Sequence, residues 1–321
     1  MKYNPKFLSR LGHRGTFSLA LMDLAKEDVY DKLAVFTADL GVLSGLTRFM
    51  NEFPNKFYNV GIAEQNMIGV ASGMAKDGFK CFVTTYANFI TMRSFEQIRM
   101  NLAYMKLNVK VIGTGGGVCM AMSGNSHYGL EDIAIMRALP NMTIVCPCDG
   151  LEIMEAIKAA YEYDGPVYIR LTGNQNQPII YSEKCDFKIG KSIKLKEGKD
   201  VTILAHGTMV NNALKTAELL EQSNVSATVI DMHTIKPLDK EMIDSLFNHK
   251  LIVTVEEHSI IGGLGGAVAE YISSKKNNPR LVILGINDEY PKAAEYDYLI
   301  DKFGLSPQKI YERIINELNG D

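Results

Sequence analysis

The chain has 321 residues, a formal net charge of −3, 46% hydrophobic and 22% charged residues. That length supports a substantial buried core in one large domain or two, and the composition is that of an ordinary globular protein. The near-balanced charge without a Lys/Arg run argues against nucleic-acid partners. No apolar stretch approaches the ~18 residues of a membrane span, and the opening MKYNPKFLSRLGHRG has no apolar signal core, so the expected location is cytoplasmic.

Taken in chain order, short apolar runs alternate with amphipathic stretches. A helix is expected over 16–27, a strand over 33–38, a helix over 64–77, a strand over 80–85, a helix over 91–104 and a strand over 109–114. Further strands are expected over 142–147 and 166–171, on either side of a helix over 150–163. Strand–helix alternation of this kind predicts a parallel sheet covered on both faces. The pattern breaks over the polar stretch 172–200 and resumes with strands at 201–207, 226–232, 251–258 and 280–286. Helices are expected from Val210, Asp239 and Leu264, and a terminal helix follows Ser306-Pro307, an N-cap and first-turn pair. The expected fold class is therefore α/β, with two domains, each a mostly parallel sheet with helices on both faces. The boundaries are 1–178, a linker over 179–200 holding at most a short strand or two, and 201–321. Five scattered cysteines argue against a disulfide framework, and Cys146 and Cys148 read as small residues closing a buried strand.

In open α/β sheets, ligands bind beyond the carboxyl ends of the strands. Polar or glycine-rich segments at such ends are 38–41, 60–64, 86–89, 113–117 and 123–127, all in the first domain. Glu64 opens an apolar helix. It reads either as a first-turn acid offsetting the helix dipole or as a partly buried carboxyl group able to share a proton with a ring nitrogen. His127, in the loop SGNSHYG, is either solvated or a general acid–base group, since imidazole titrates near neutral pH. Tyr86 and Phe89 read as core aromatics or as a stacking surface for a flat heteroaromatic ring. His206 and His258 read as structural. The segment Gly262–Val268 resembles a dinucleotide fingerprint only in part and reads better as a tight turn with close helix–sheet packing.

FYNVGIAEQNMIGVASGMAKDG, TADLGVLSGLT, YANFITMRSFEQIRMNLAY, GLEDIAIMRALPNMTIVCPCDGLE and GPVYIRLT together resemble the pyrimidine-binding domain of transketolases. VEEHSIIGGLGGAVAE resembles a turn of the transketolase C-terminal domain. The resemblance implies a thiamine-diphosphate enzyme that transfers a two-carbon ketol unit between sugars. It places Glu64 against N1′ of the cofactor's aminopyrimidine, Tyr86 and Phe89 around that ring (within one residue of register) and Asp39 near the cofactor. His127 would contact sugar hydroxyls, Arg170 the distal phosphate of a substrate, and Ser44 a similar group.

Two departures accompany it. Ser123 stands near the position of an aspartate that reads a sugar α-hydroxyl, and Gly115 near that of a phosphate-binding histidine. Both suggest a non-phosphorylated, nucleotide-linked or otherwise unusual acceptor. The Gly-Asp-Gly motif and following asparagine that hold Mg²⁺ and the diphosphate are not found, so no metal ligand is assigned to this chain. The resemblance thus implies a split enzyme: an N-terminal transketolase subunit with the diphosphate-binding domain holds Mg²⁺ and the diphosphate, in an α2β2 heterotetramer with this chain. The alternatives are a pyruvate-using relative, such as a deoxyxylulose-phosphate synthase-like enzyme or a 2-oxo-acid dehydrogenase β subunit, and a non-catalytic regulatory subunit.

Overall fold

The computed structural model describes residues 2–320. Its elements in chain order are α1 (Pro5–Glu27), β1 (Leu33–Thr37), α2 (Thr47–Glu52), β2 (Phe57–Asn59), α3 (Glu64–Lys76) and β3 (Lys80–Tyr86). A continuous helical segment follows, in which α4 (Phe95–Gln97) is a single α-turn between the π-helical turns Phe89–Arg93 and Ile98–Tyr104. Then come β4 (Val109–Gly116), α5 (Asp132–Arg137), β5 (Thr143–Val145), α6 (Gly150–Glu162), β6 (Val167–Thr172) and β7 (Ile193–Lys196). The remainder is β8 (Val201–Ala205), α7 (Met209–Gln222), β9 (Ala227–Asp231), β10 (Thr234–Lys236), α8 (Lys240–Ser245), β11 (Leu251–Ser259), α9 (Leu264–Ser273), β12 (Arg280–Ile286), α10 (Tyr296–Lys302) and α11 (Pro307–Asn319).

The strands form two sheets, as the alternation predicts. One has seven strands in the order β10-β5-β6-β4-β3-β1-β2, the other five in the order β12-β11-β8-β9-β7. All neighbours are parallel except β10 on β5 and β7 on β9. Successive residues of the parallel strands are buried on opposite faces. In β1, Val35 packs with Phe17, Leu21, Ile153 and Ile157 of α1 and α6, while Phe36 packs with Met67 and Ile68 of α3. Of the two antiparallel edge strands, one ties the units together. β7, from the stretch expected as linker, closes the second sheet, and β10, from beyond that stretch, adds an antiparallel edge to the first. The short elements α2, α5, α10 and β10 had no counterpart among the expected ones. Ser306 occupies the N-cap position of α11, but its hydroxyl bonds Asp301 Oδ1 at 2.7 Å rather than a helix amide.

The glycine segment after β11 is a packing turn. The Glu256 carboxylate accepts the Leu264 and Gly265 amides at 2.7 and 2.8 Å, so the first turn of α9 already holds an anion. Gly263 is in direct approach to that carboxylate, where a Cβ would collide. The histidines expected to be structural are buried here, His206 Nε2 3.7 Å and His258 Nδ1 3.8 Å from Glu256.

Where the two units meet, Cys148, Glu152 of α6 and Asp231 of β9 each bring a side-chain atom within 4.8 Å of the others, all buried. The recorded partners are the Cys148 amide on Glu152, and the Cys148 thiol and Tyr181 hydroxyl on Asp231, none of them a cation. Burial pushes both carboxyl groups up, Asp231 to about 7 and Glu152 well above its ordinary range. The neighbouring Asp231 charge adds to the rise at Glu152. A carboxyl group raised on folding stabilises the native state while protonated, and that contribution is lost as pH rises through its folded value. Thermal unfolding followed by calorimetry from pH 5 to 9 should show the midpoint falling as pH passes about 7. Glu152→Gln should flatten that fall, by about 1–2 °C per kcal/mol relieved. Parallel curves for the two proteins would show that Glu152 does not contribute to the fall.

Candidate active site

The carboxyl ends of β1, β2, β3 and β4 open on one side of the first sheet, and the expected residues lie along that edge. Asp39 follows β1 with a left-handed backbone (φ 59°) and is exposed. It exchanges two bonds with Asn59 at the end of β2, its amide to Asn59 Oδ1 at 3.0 Å and Asn59 Nδ2 to its carboxylate at 3.1 Å. Ser44 is buried in the loop after β1, and its hydroxyl has no partner among the described residues. Ser123 is exposed in the loop after β4.

Glu64 is the first residue of α3 and is only 6% exposed. Its Oε1 accepts from Arg93 Nη1 at 2.8 Å, while Oε2 makes no hydrogen bond among the described residues. Tyr86, the last residue of β3, Phe89 and His127 form a ring cluster with centroid separations of 5.5 to 5.6 Å. Loop 117–130 carries His127 to this cluster. Asn88 Nδ2 donates to the Ser126 carbonyl at 2.8 Å, and Asn125 Nδ2 donates to the Pro291 carbonyl of the second unit at 2.7 Å. His127 Nδ1 lies 2.9 Å from Ser126 Oγ. The structure thus brings Tyr86, Phe89 and His127 into contact, and Arg93 links Phe89 to Glu64.

Arg170 is not with them. Its side chain is fully buried, with Nε on Asp132 Oδ2 at 2.8 Å and Nη2 on the carbonyls of Gly129 and Glu257 at 2.8 and 2.9 Å. Burial alone would raise the Asp132 carboxyl, yet the positive charge of Arg170, with the bonds from Tyr168 and Arg170, holds it below its ordinary value. A guanidinium enclosed in this way cannot meet a sugar phosphate, so the substrate-contact assignment of Arg170 is corrected to a structural one.

Arg14, not singled out in the sequence, is the cation that does reach the edge. α1 bends at Gly12 (φ 68°), where a Cβ would strike the Asn174 carbonyl, and the following turn carries Arg14 inward. Its guanidinium lies 5.6 Å from the Tyr86 ring centre and donates from Nη1 to the Leu43 carbonyl at 3.2 Å. Nη2 stands 3.6 Å from where a side chain on Gly115 would begin. Residues 11–15, 42, 43, 45 and 173–175 line an adjoining cleft of about 630 Å³. The signal available in the sequence was a Gly-His-Arg-Gly run breaking an otherwise regular helix.

Residues 11–177 match the family model described as transketolase, pyrimidine binding domain, and residues 190–310 that described as transketolase, C-terminal domain. A Methanocaldococcus jannaschii protein, by name a transketolase C-terminal section, is 42% identical over 309 residues, 96% of each chain. A 6-deoxy-6-sulfo-D-fructose transketolase subunit of a Clostridium species is 39% identical over 92% of this chain and 91% of its own. Among solved structures, a split gene transketolase described as an inactive beta4 tetramer superposes with a TM-score of 0.85 at 40% identity, covering 96% of this chain and 98% of that one.

The buried pairing of Arg170 predicts a stability effect. Arg170→Met leaves Asp132 uncompensated and should destabilise the chain by about 3–5 kcal/mol in chemical denaturation. A variant of undiminished stability would return Arg170 to the list of ligand contacts.

Proposed function

The chain belongs to the transketolase family, and we propose that it is the pyrimidine-binding subunit of a two-subunit transketolase that acts only with a diphosphate-binding partner. Residues 1–178 are its pyrimidine-binding domain and residues 201–321 its C-terminal domain. The observation that carries the reading is the Glu64 carboxylate, nearly buried at the start of α3, with Oε1 committed to Arg93, which also lies on Phe89 of the Tyr86–Phe89–His127 cluster, and with no hydrogen bond on Oε2 among the described residues. That set suits an aminopyrimidine: an acceptor atom for a ring nitrogen and aromatic rings for stacking.

Glu64 would hold N1′ of thiamine diphosphate, with Tyr86 and Phe89 against the ring and Asp39 at its border. When bound, the cofactor supplies the electron sink for breaking and forming the sugar carbon–carbon bond. Glu64 holds or moves a proton at N1′. His127, steadied by Ser126 and Asn88, exchanges a proton with a sugar hydroxyl. Ser44 and Ser123 border the sugar path. Mg²⁺ and the diphosphate belong to the partner, with oxygen ligands there. The two chains assemble as a soluble α2β2 enzyme in the cytoplasm.

Exposed apolar side chains ring this edge: Val42, Leu43, Ile62 and Met122 are each more than half exposed. Apolar groups clustered around a site suit burial under a second protein, which here is the N-terminal subunit. Arg14 is the cation beside Gly115, and one such charge suits an acceptor with a single anionic or polar tail, with no need for a phosphate. The sulfonated sugar in the name of the Clostridium relative is in keeping with that choice.

Mixing the chain with a diphosphate-binding transketolase subunit, thiamine diphosphate and Mg²⁺ should give tight calorimetric binding and ketol transfer from a ketose, with neither given by the chain alone. Glu64→Gln should lower turnover of the mixture by about 10²–10⁴-fold. Undiminished turnover would favour a scaffolding role, and a preference for pyruvate as donor would favour the pyruvate-using relatives. Arg14→Ala should raise KM for the acceptor about tenfold or more with kcat little changed. An unaltered KM would remove Arg14 from the acceptor path.

A further inference from the structure

Arg93 has no role in the reading above, yet it touches both residues that define the expected ring site. It lies four residues after Phe89 in the π-helical turn Phe89–Arg93. Its guanidinium carbon stands 3.7 Å from the centre of the Phe89 ring, a close cation–π contact. Nη1 of the same guanidinium donates to Glu64 Oε1 at 2.8 Å. Its own carbonyl accepts from Gln65 Nε2 at 3.0 Å, which fastens the turn's backbone to the residue after Glu64. Arg93 is thus fixed at both ends to the start of α3, while its side chain remains 48% exposed.

A carboxylate at a helix start has two equivalent oxygens and a broad terminal torsion, so alone it offers a ring nitrogen no unique atom or direction. Binding one oxygen to a guanidinium whose own plane is fixed by an aromatic face removes that freedom. The partner bond is charge-assisted and therefore directional. What remains is one oxygen, Oε2, in one orientation.

We propose that Arg93 is a positioning residue for the cofactor's aminopyrimidine, which by holding Glu64 Oε1 and lying on Phe89 presents Glu64 Oε2 to the ring nitrogen. It acts through Glu64 and makes no bond to substrate. The inference rests on the assignment of Glu64 to the cofactor, and its test separates the two.

The complex of this chain with its diphosphate-binding partner is titrated with thiamine diphosphate in the presence of Mg²⁺. Calorimetry gives the Kd, and near-ultraviolet circular dichroism reports the environment of the bound pyrimidine. Arg93→Met keeps an apolar stem over Phe89 and loses the charge. It should weaken cofactor binding about 10- to 100-fold and change the dichroic band. Arg93→Lys, a single point donor without the planar fork, should recover part of both. A Kd and a band equal to those of the parent in Arg93→Met would overturn the proposal while Glu64→Gln still perturbs them. A silent Glu64→Gln would instead overturn the cofactor role of Glu64, and this inference with it. Arg93→Gln, read in the same way, decides the matter if Arg93→Met does not assemble. A loss of turnover with Kd and band unchanged would also count against it.

Discussion

A guanidinium sealed from water holds the site to the rest of the molecule. Arg170 sits in the middle of the first sheet on β6, and each of its bonds leads to a different part of the chain: Asp132 on α5, Gly129 at the end of the site loop, and Glu257 on β11 of the second sheet. Asp132 also accepts the Tyr168 hydroxyl at 2.5 Å, and Glu257 receives the Val118 amide, at the start of that loop, at 2.7 Å. Both ends of loop 117–130 are thus fixed to one buried cluster, and Gly117 and Gly129 exchange backbone bonds between them. Desolvating such an ion pair offsets much of its attraction, so its benefit lies in geometry. His127 is carried on a loop whose two ends cannot move apart without exposing a buried charge.

The same cluster explains why Arg170 misled the reading of the sequence. A strand buried on both faces has no polar–apolar alternation, and β6 is buried along its whole length, so nothing in VYIRLT says on which side the arginine lies. Order along the motif placed it correctly on a strand and wrongly at the ligand. The long parallel strands and their helices were legible because each is a run of apolar residues with a clear period. The short elements were not. β10 has three residues and is a strand only because β5 offers it an edge from a distant part of the chain. α5 has six residues and begins at Asp132, the carboxylate that meets Arg170, a contact no local pattern encodes.

The site itself was half legible. Glu64, Tyr86, Phe89 and His127 stood out as polar or aromatic residues at strand ends, and the ring cluster unites three of them. Arg14 and Arg93 escaped notice for different reasons. Arg14 depends on a glycine with positive φ in what otherwise reads as helix, so its direction follows from a backbone bend. Arg93 lies in a π-helical turn, where the usual 3.6-residue period does not say which side chains share a face. Such turns are rare, and here one adjoins the residues with the most chemistry.

That irregular turn also bears on how two chains can share one site. A carboxylate on α3 and an aromatic ring on the next helical segment belong to different elements, which small shifts would separate. Arg93 joins them through one side chain, and Gln65 joins their backbones. On the proposed reading, the pyrimidine side of the site would be fixed within this chain before any partner arrives. Ordering that would otherwise be a cost of association is already complete, and preorganisation of that kind favours binding without any added contact area. The proposed partner would then need to bring only its own ligands and cover the exposed Val42, Leu43, Ile62 and Met122. On the proposed assembly, splitting the enzyme into two polypeptides would leave the bonds that shape the pyrimidine half within one chain.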